Sequence, residues 1–180
     1  MHSSISHLVL QIKPVNQFEE ACLIEIKVQS NDMFLFGCIY RSPTHTTESD
    51  VNINNLNTLV HHIASDKKYS HICLTGDFNF KINWQLWSTP YPENSKEELF
   101  LETLRDSFLY QHVHEPTRRR GTNEPSILDL ILTGEESQIT ELKYQAPLGK
   151  SDHSVLSFSF NWYFDNKLSS KKYLYNKADF

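Results

Sequence analysis

Few cysteines, no apolar run long enough to cross a bilayer and no excess of positive charge: each shortage narrows what this 180-residue chain can be. Cys22, Cys38 and Cys73 are odd in number, widely spaced and set in the apolar stretches ACLIEI, FLFGCIY and HICLT. That pattern excludes a disulfide framework and suits small buried hydrophobes in a reducing, intracellular setting, nuclear or cytoplasmic. No stretch approaches the ~18 apolar residues of a membrane span, and MHSSISHLVLQIK has neither a charged start nor a small-residue cleavage site, so no membrane partner and no targeting signal are visible. The formal net charge of -5 rules out a broad positive field, so any contact with nucleic acid must be local. No internal repeat appears. With 39% hydrophobic and 12% aromatic residues, the chain reads as one globular domain with a real core.

Residues 21–28 (ACLIEIKV) and 33–40 (MFLFGCIY) predict a β-hairpin. Ile53, Leu56, Leu59, Val60 and Ile63 recur at helical spacing, which predicts a helix over 51–67 with Asp50 as N-cap. A strand at HICLTG, a Trp- and Pro-rich loop, and a helix from Ser95 to about Tyr110 follow, the helix opened by a Ser95/Glu98 capping box with Leu99, Leu104 and Phe108 facing inward. Further strands are expected near QHVH, at 126–133 and at 153–160, where Leu156, Phe158 and Phe160 alternate with serines. The pattern is that of an α/β layered domain with a mixed or antiparallel sheet over residues 1–165, with 166–180 a basic linker or tail.

Three short stretches carry chemistry. In TGDFN, a rigid strand end presents Asp77 and Asn79: a carboxylate that orients water or holds a hard cation, and an amide that bonds a phosphate oxygen without repelling it. An Asx-type turn explains the same letters. In SILDLIL, Asp129 has only apolar near neighbours, and an unpaired carboxylate there costs several kcal/mol, so a partner must meet it. In SDHS, His153 can be held in one tautomer by Asp129, leaving Asp152 for metal or water. The cluster Arg118, Arg119, Arg120 in TRRRGTNEPS can grip phosphates or simply be a solvated loop. Trp84, Trp87 and Tyr91 are read as closing over the core. His112 and His114 lack a Cys or carboxylate spaced to complete a metal site, and His61 and His62 belong to a helix surface.

TGDFN, SILDLILT and SDHS, in that order and at these separations, resemble the endonuclease/exonuclease/phosphatase superfamily of DNase I-like fold. GCIYRSPT, HEPTR, LGKSDH and YNKADF resemble more narrowly the endonuclease domain of non-LTR retrotransposon polyproteins. The resemblance implies a layered α-β-β-α sandwich and Mg²⁺- or Mn²⁺-assisted hydrolysis of DNA phosphodiesters. It implies that Tyr40 touches the scissile phosphate, Asp77 orients the attacking water, Asn79 holds a phosphate oxygen and Asp129 supports the catalytic His153. Asp152 would be a metal-linked carboxylate, and Thr122 would join the arginines on the substrate. A reverse transcriptase domain in a longer polyprotein is the implied neighbour.

Such domains open with a strand bearing an Asn and another bearing a Glu metal ligand, and neither has a counterpart here, so first strands are expected to be missing and activity impaired. Glu25, expected on the wetter face of its strand, does not replace that Glu. Two other expectations stand beside the nuclease: a non-catalytic retroelement remnant that at most binds nucleic acid through 117–126, and a phosphatase of the same superfamily.

Overall fold

Where β-branched and aromatic residues crowd together, the chain pairs as predicted. In the computed structural model, which describes residues 9–12, 18–27, 32–43, 47–84, 91–92, 95–121 and 124–161, β2 (Ala21–Lys27) and β3 (Met33–Tyr40) form an antiparallel ladder. Thr122, Trp87 and the 166–180 tail lie outside the described residues. A strand not expected from the sequence, β1 (Val9–Ile12), pairs with β2. After β3 the chain crosses over through helix α1 (Thr47–Ser65) and returns as β4 (His71–Asp77), parallel to β3. β8 (Asp129–Thr133) adds antiparallel to β4, and the two-residue β7 (Tyr110–Gln111) closes the edge. The result is one mixed sheet in the order β1-β2-β3-β4-β8-β7. β5 (Ile82–Asn83) and β6 (Tyr91–Pro92) form a minimal ladder within the Trp- and Pro-rich loop.

Helix α1 places Ile53, Leu56, Leu59, Val60 and Ile63 in one core cluster with Leu23, Leu35, Ile39 and Leu74 of the sheet. Phe100, Leu101 and Leu104 of α2 (Ser95–Asp106) join the same cluster. The opposite face receives the hairpin of β9 (Ile139–Gln145) and β10 (Val155–Phe160), where Phe160 meets Phe34 with ring centroids 4.8 Å apart. Helices, central sheet and a second small sheet are therefore layered as in a DNase I-like α/β fold, while the outer helix layer of the expected α-β-β-α sandwich has no counterpart among the described residues.

Several local expectations are corrected. Helix α1 starts at Thr47, so Asp50 lies inside its first turn rather than capping it. Helix α2 ends at Asp106, not near Tyr110. Leu109 N donates to Leu104 O and Phe108 N to Arg105 O, the paired bonds of a Schellman stop, with Phe108 at φ 52° in the left-handed position usually taken by glycine. Phe108 is thereby turned outward and is 85% exposed, and Leu99 is also exposed; Phe100 and Leu101 are buried in their place. Strand β9 escaped notice because a bulge with Glu141 at φ 54° breaks its alternation, two residues facing one between Ser157 and Ser159. Cys73 is buried, but Cys22 and Cys38 are exposed, beyond the reach of the β9–β10 cover. Glu25 is buried rather than wet, and its carboxylate accepts from Lys68 and Tyr69.

Two outcomes test this description. Phe108→Gly removes left-handed strain without losing buried surface and should raise stability by roughly 1 kcal/mol in urea unfolding. His112 is buried, its Nε2 donating to Thr133 Oγ1 at 2.6 Å, and burial followed by the neighbouring His114 pulls its pKa down to about 4. The unfolded chain therefore binds the extra proton first. Stability should fall as pH drops from 6.5 towards 4, by up to about 3 kcal/mol, and His112→Gln should flatten that slope.

Candidate active site

Register alone lines up three of the singled-out residues. Tyr40 is the partner of Asp77 across the parallel β3–β4 ladder, and Asp77 is the partner of Asp129 across the antiparallel β4–β8 ladder. Directly paired residues share a face, and neighbouring strands lie about 4.8 Å apart, so the three side chains form a row at one end of the sheet. They share the face that carries Phe34 and the β9–β10 hairpin, but Tyr40 is 53% exposed, so this end of the face is open. Gly76 makes the close strand approach feasible: at φ 135°, a Cβ there would stand 1.9 Å from Ile39 O.

His153 enters the row from the segment before β10. Its Nδ1 lies 2.8 Å from Asp129 Oδ2, which makes Nδ1 the donor and leaves Nε2 directed elsewhere, with Asp152 Oδ1 at 3.9 Å. Ligand atoms of Asp77, Asp129 and His153 all fall within 4.8 Å of one another, a grouping able to hold a metal ion. Burial first, and then the Asp129 carboxylate, push the Asp77 carboxyl above the usual carboxylate range, only partly offset by His153 and Asn79. Two carboxylates with so little compensation leave a local negative charge that a divalent cation would neutralise. Asp152 stands beside this group, not within it. Its Oδ2 accepts from Arg118 Nε at 3.0 Å, and that bond holds its carboxyl below the usual range.

Asn79 takes the Asx turn that the sequence offered as one of its two readings. Its backbone N donates to Asp77 Oδ1 at 3.2 Å in an Asx turn, with φ 52°, while its Nδ2 donates to Arg41 O at 2.8 Å. Arg41, not singled out from the sequence, completes the brace. Only 7% exposed, it donates through Nε to Phe78 O at 2.6 Å and through a second nitrogen to Asn79 O, and its guanidinium sits 4.1 Å over the Phe80 ring.

Thr117 is the second residue that sequence reasoning missed. Fully buried, its Oγ1 accepts from both Leu128 N and Asp129 N, at 3.1 and 3.0 Å. Its own carbonyl accepts from Ser154 N at 2.7 Å, and Arg119 N donates to Asp152 O at 2.9 Å. One threonine thus ties down the main chain on both sides of the Asp129–His153 pair. The only trace of it in the sequence is its place in HEPTR, between Pro116 and Arg118, and its partners are backbone groups that no pattern announces.

Arg118 and the exposed Arg120, with Lys81 and the buried ring of Trp84, line a groove of about 730 Å³ that reaches the site through the Arg118–Asp152 pair. Arg119 is exposed in the same segment. A cavity of about 440 Å³ between α1 and α2 carries Asp50, Glu98 and Glu102 and has the wrong sign for a phosphate. Among the described residues, no helix is long and apolar enough to cross a membrane.

A family model described as endonuclease–reverse transcriptase matches residues 34–157. The fold is similar to that of the endonuclease domain of TRAS1, a telomere-specific non-LTR retrotransposon, with a TM-score of 0.63 at 19% identity over 87% of this chain and 69% of that one. It is also similar to an endonuclease/exonuclease/phosphatase family protein from Leptotrichia buccalis C-1013-b, with a TM-score of 0.50 at 12% identity over 88% of this chain and 62% of that one. At these identities the likeness concerns the fold. No curated protein matches the chain.

Thr117→Val keeps the shape and removes the acceptor, leaving the Leu128 and Asp129 amides unpaired. Unfolding experiments should show a loss of about 1–3 kcal/mol, with Thr117→Ser retaining most of the stability.

Proposed function

The chain belongs to the endonuclease–reverse transcriptase family, and from that premise we propose that it is a retrotransposon-type DNA endonuclease that hydrolyses phosphodiesters with Mg²⁺ or Mn²⁺. The observation that carries this reading is the convergence of Asp77, Asp129 and His153 on one point at an open sheet end.

The donor set fits a divalent cation, because two carboxylates stand together with the Asp77 carboxyl pushed up by burial and by its neighbour. Asp77 and Asp129 would hold it, with Asp152 at the rim. A bound Mg²⁺ or Mn²⁺ supplies Lewis-acid stabilisation of charge on the phosphoryl oxygens. The side chains supply the rest. Asp129 fixes the imidazole of His153 through Nδ1, so Nε2 is the atom that offers a hydrogen bond to a phosphoryl oxygen as negative charge grows there. Asp77 orients the attacking water in line with the scissile bond. Asn79, locked by Arg41, holds a non-bridging oxygen, and the exposed Tyr40 phenol contacts the same phosphate from the next strand.

Substrate grip falls to the basic groove. Arg118, aligned by Asp152, and Arg119 and Arg120 would contact phosphates flanking the cut, with Thr122 alongside. This places cationic contacts locally on a chain whose net charge is -5. We assign residues 1–165 to the nuclease domain and 166–180 to a basic linker or tail. The family's name supports a reverse transcriptase domain as the partner in a longer polyprotein.

Nicking of supercoiled plasmid by the 180-residue chain tests this. Expected are nicking with Mg²⁺, none with EDTA, and a loss of about 100-fold or more in His153→Ala. Undiminished nicking by His153→Ala would exclude this site. A folded chain that nicks nothing would favour a non-catalytic, nucleic-acid-binding remnant.

A further inference from the structure

Cys22 and Cys38 are partners across the β2–β3 ladder, so their side chains leave the same face of the sheet from directly opposed positions. Both are exposed thiols. The kind of rung they occupy follows from the backbone. Tyr40 N donates to Glu20 O at 2.9 Å, which makes Glu20 and Tyr40 a hydrogen-bonded rung. Rungs alternate along an antiparallel ladder, so Cys22 and Cys38, two residues further on, occupy a hydrogen-bonded rung as well. Such rungs hold Cα atoms about 5.5 Å apart, within the roughly 4.4–6.8 Å that a disulfide accepts. Their Cβ atoms lie near the far end of about 4.5–5.5 Å, wider than the roughly 3.5–4.5 Å of a relaxed bond, so closing it draws the strands together and leaves a bond that is readily reduced. The third cysteine is a built-in contrast: Cys73 is buried, and burial pushes its thiol up to about 12, so it is withheld from exchange.

We propose that Cys22 and Cys38 form a redox-responsive dithiol that a small-molecule disulfide, of the oxidised-glutathione class, closes into a cross-strand disulfide. The thiolate of one cysteine attacks a sulfur of the reagent, forming a mixed disulfide and releasing one small thiol. The thiolate of the second attacks its neighbour's sulfur, forming the Cys22–Cys38 bond and releasing the other small thiol. Two protein thiols are oxidised, one reagent disulfide is reduced, and the two protons leave on the released thiols.

Position gives the bond a consequence. Cys38 and Tyr40 lie two residues apart on one strand and on one face, and Thr75, the partner of Cys38 on β4, stands two residues before Asp77. The dithiol is therefore the rung next to the Tyr40–Asp77–Asp129 row, and a bulky mixed disulfide there would crowd the row where a closed bond would not.

The test needs no nuclease activity. The full chain is incubated with oxidised glutathione, quenched with a thiol-alkylating reagent and weighed intact. Expected are the loss of two hydrogens, a Cys22–Cys38 cross-linked peptide, and Cys73 unmodified until denaturant is added. Cys22→Ser should stop at the first step, with one glutathione retained on Cys38, and a reducing thiol should restore the starting mass. A stable glutathione adduct on the unsubstituted chain, a bond involving Cys73, or unreacted Cys22 and Cys38 in the folded chain would each overturn the inference.

Discussion

Asp77 and Asp129 are held side by side on neighbouring strands although their charges repel, and this end of the molecule is organised around that conflict. Left alone, two carboxylates would splay apart or take up a proton, and the Asp77 carboxyl is pushed up by its burial first and by the Asp129 carboxylate second. Main-chain geometry prevents the escape. The β4–β8 ladder fixes both Cα positions in the interior of a six-stranded sheet, where neither strand can shift without breaking pairing on two sides. The stability forgone at such a pair is the kind that functional sites commonly forgo.

Support for the row comes from side chains that grip backbone. Arg41 holds two consecutive carbonyls of the loop after β4, and Asn79 returns the favour to the Arg41 carbonyl, so the exits of β3 and β4 are cross-braced. Thr117 does the same for β8 and the segment carrying His153. Both residues are buried, and neither needs to touch a substrate to matter, because the row's geometry is only as good as the loops that end its strands.

That division explains what could be read from the letters. Asp77, Asp129 and His153 were legible because a charge inside an apolar run demands a partner, and the order of the three motifs supplied it. The central strands were legible from composition, and the buried face of α1 from periodicity. What escaped was set by backbone geometry or by a partner far along the chain. Phe108 ends a helix in a conformation where glycine is the usual signal, Glu141 bulges a strand out of its alternation, and Thr117 works through amides that look alike in every sequence. Glu25 looked wet because the alternation around it gives no hint of Lys68 and Tyr69 waiting behind α1.

The row Tyr40, Asp77, Asp129 and its histidine spans residues 40 to 153, so nearly the whole described chain must be in place before the four meet. Pairings between residues so far apart in sequence close late, because the loop entropy must be met before the contacts repay it. Among the described residues, 117–121 and 124–128 are tied to one another, to β8 and to the His153 segment by single hydrogen bonds and the isolated bridges Arg118–Ser126 and Arg118–His153. On warming, the His153 side of the site should therefore come apart before the sheet does, giving a population that keeps its core and its helices while the four residues no longer face one another.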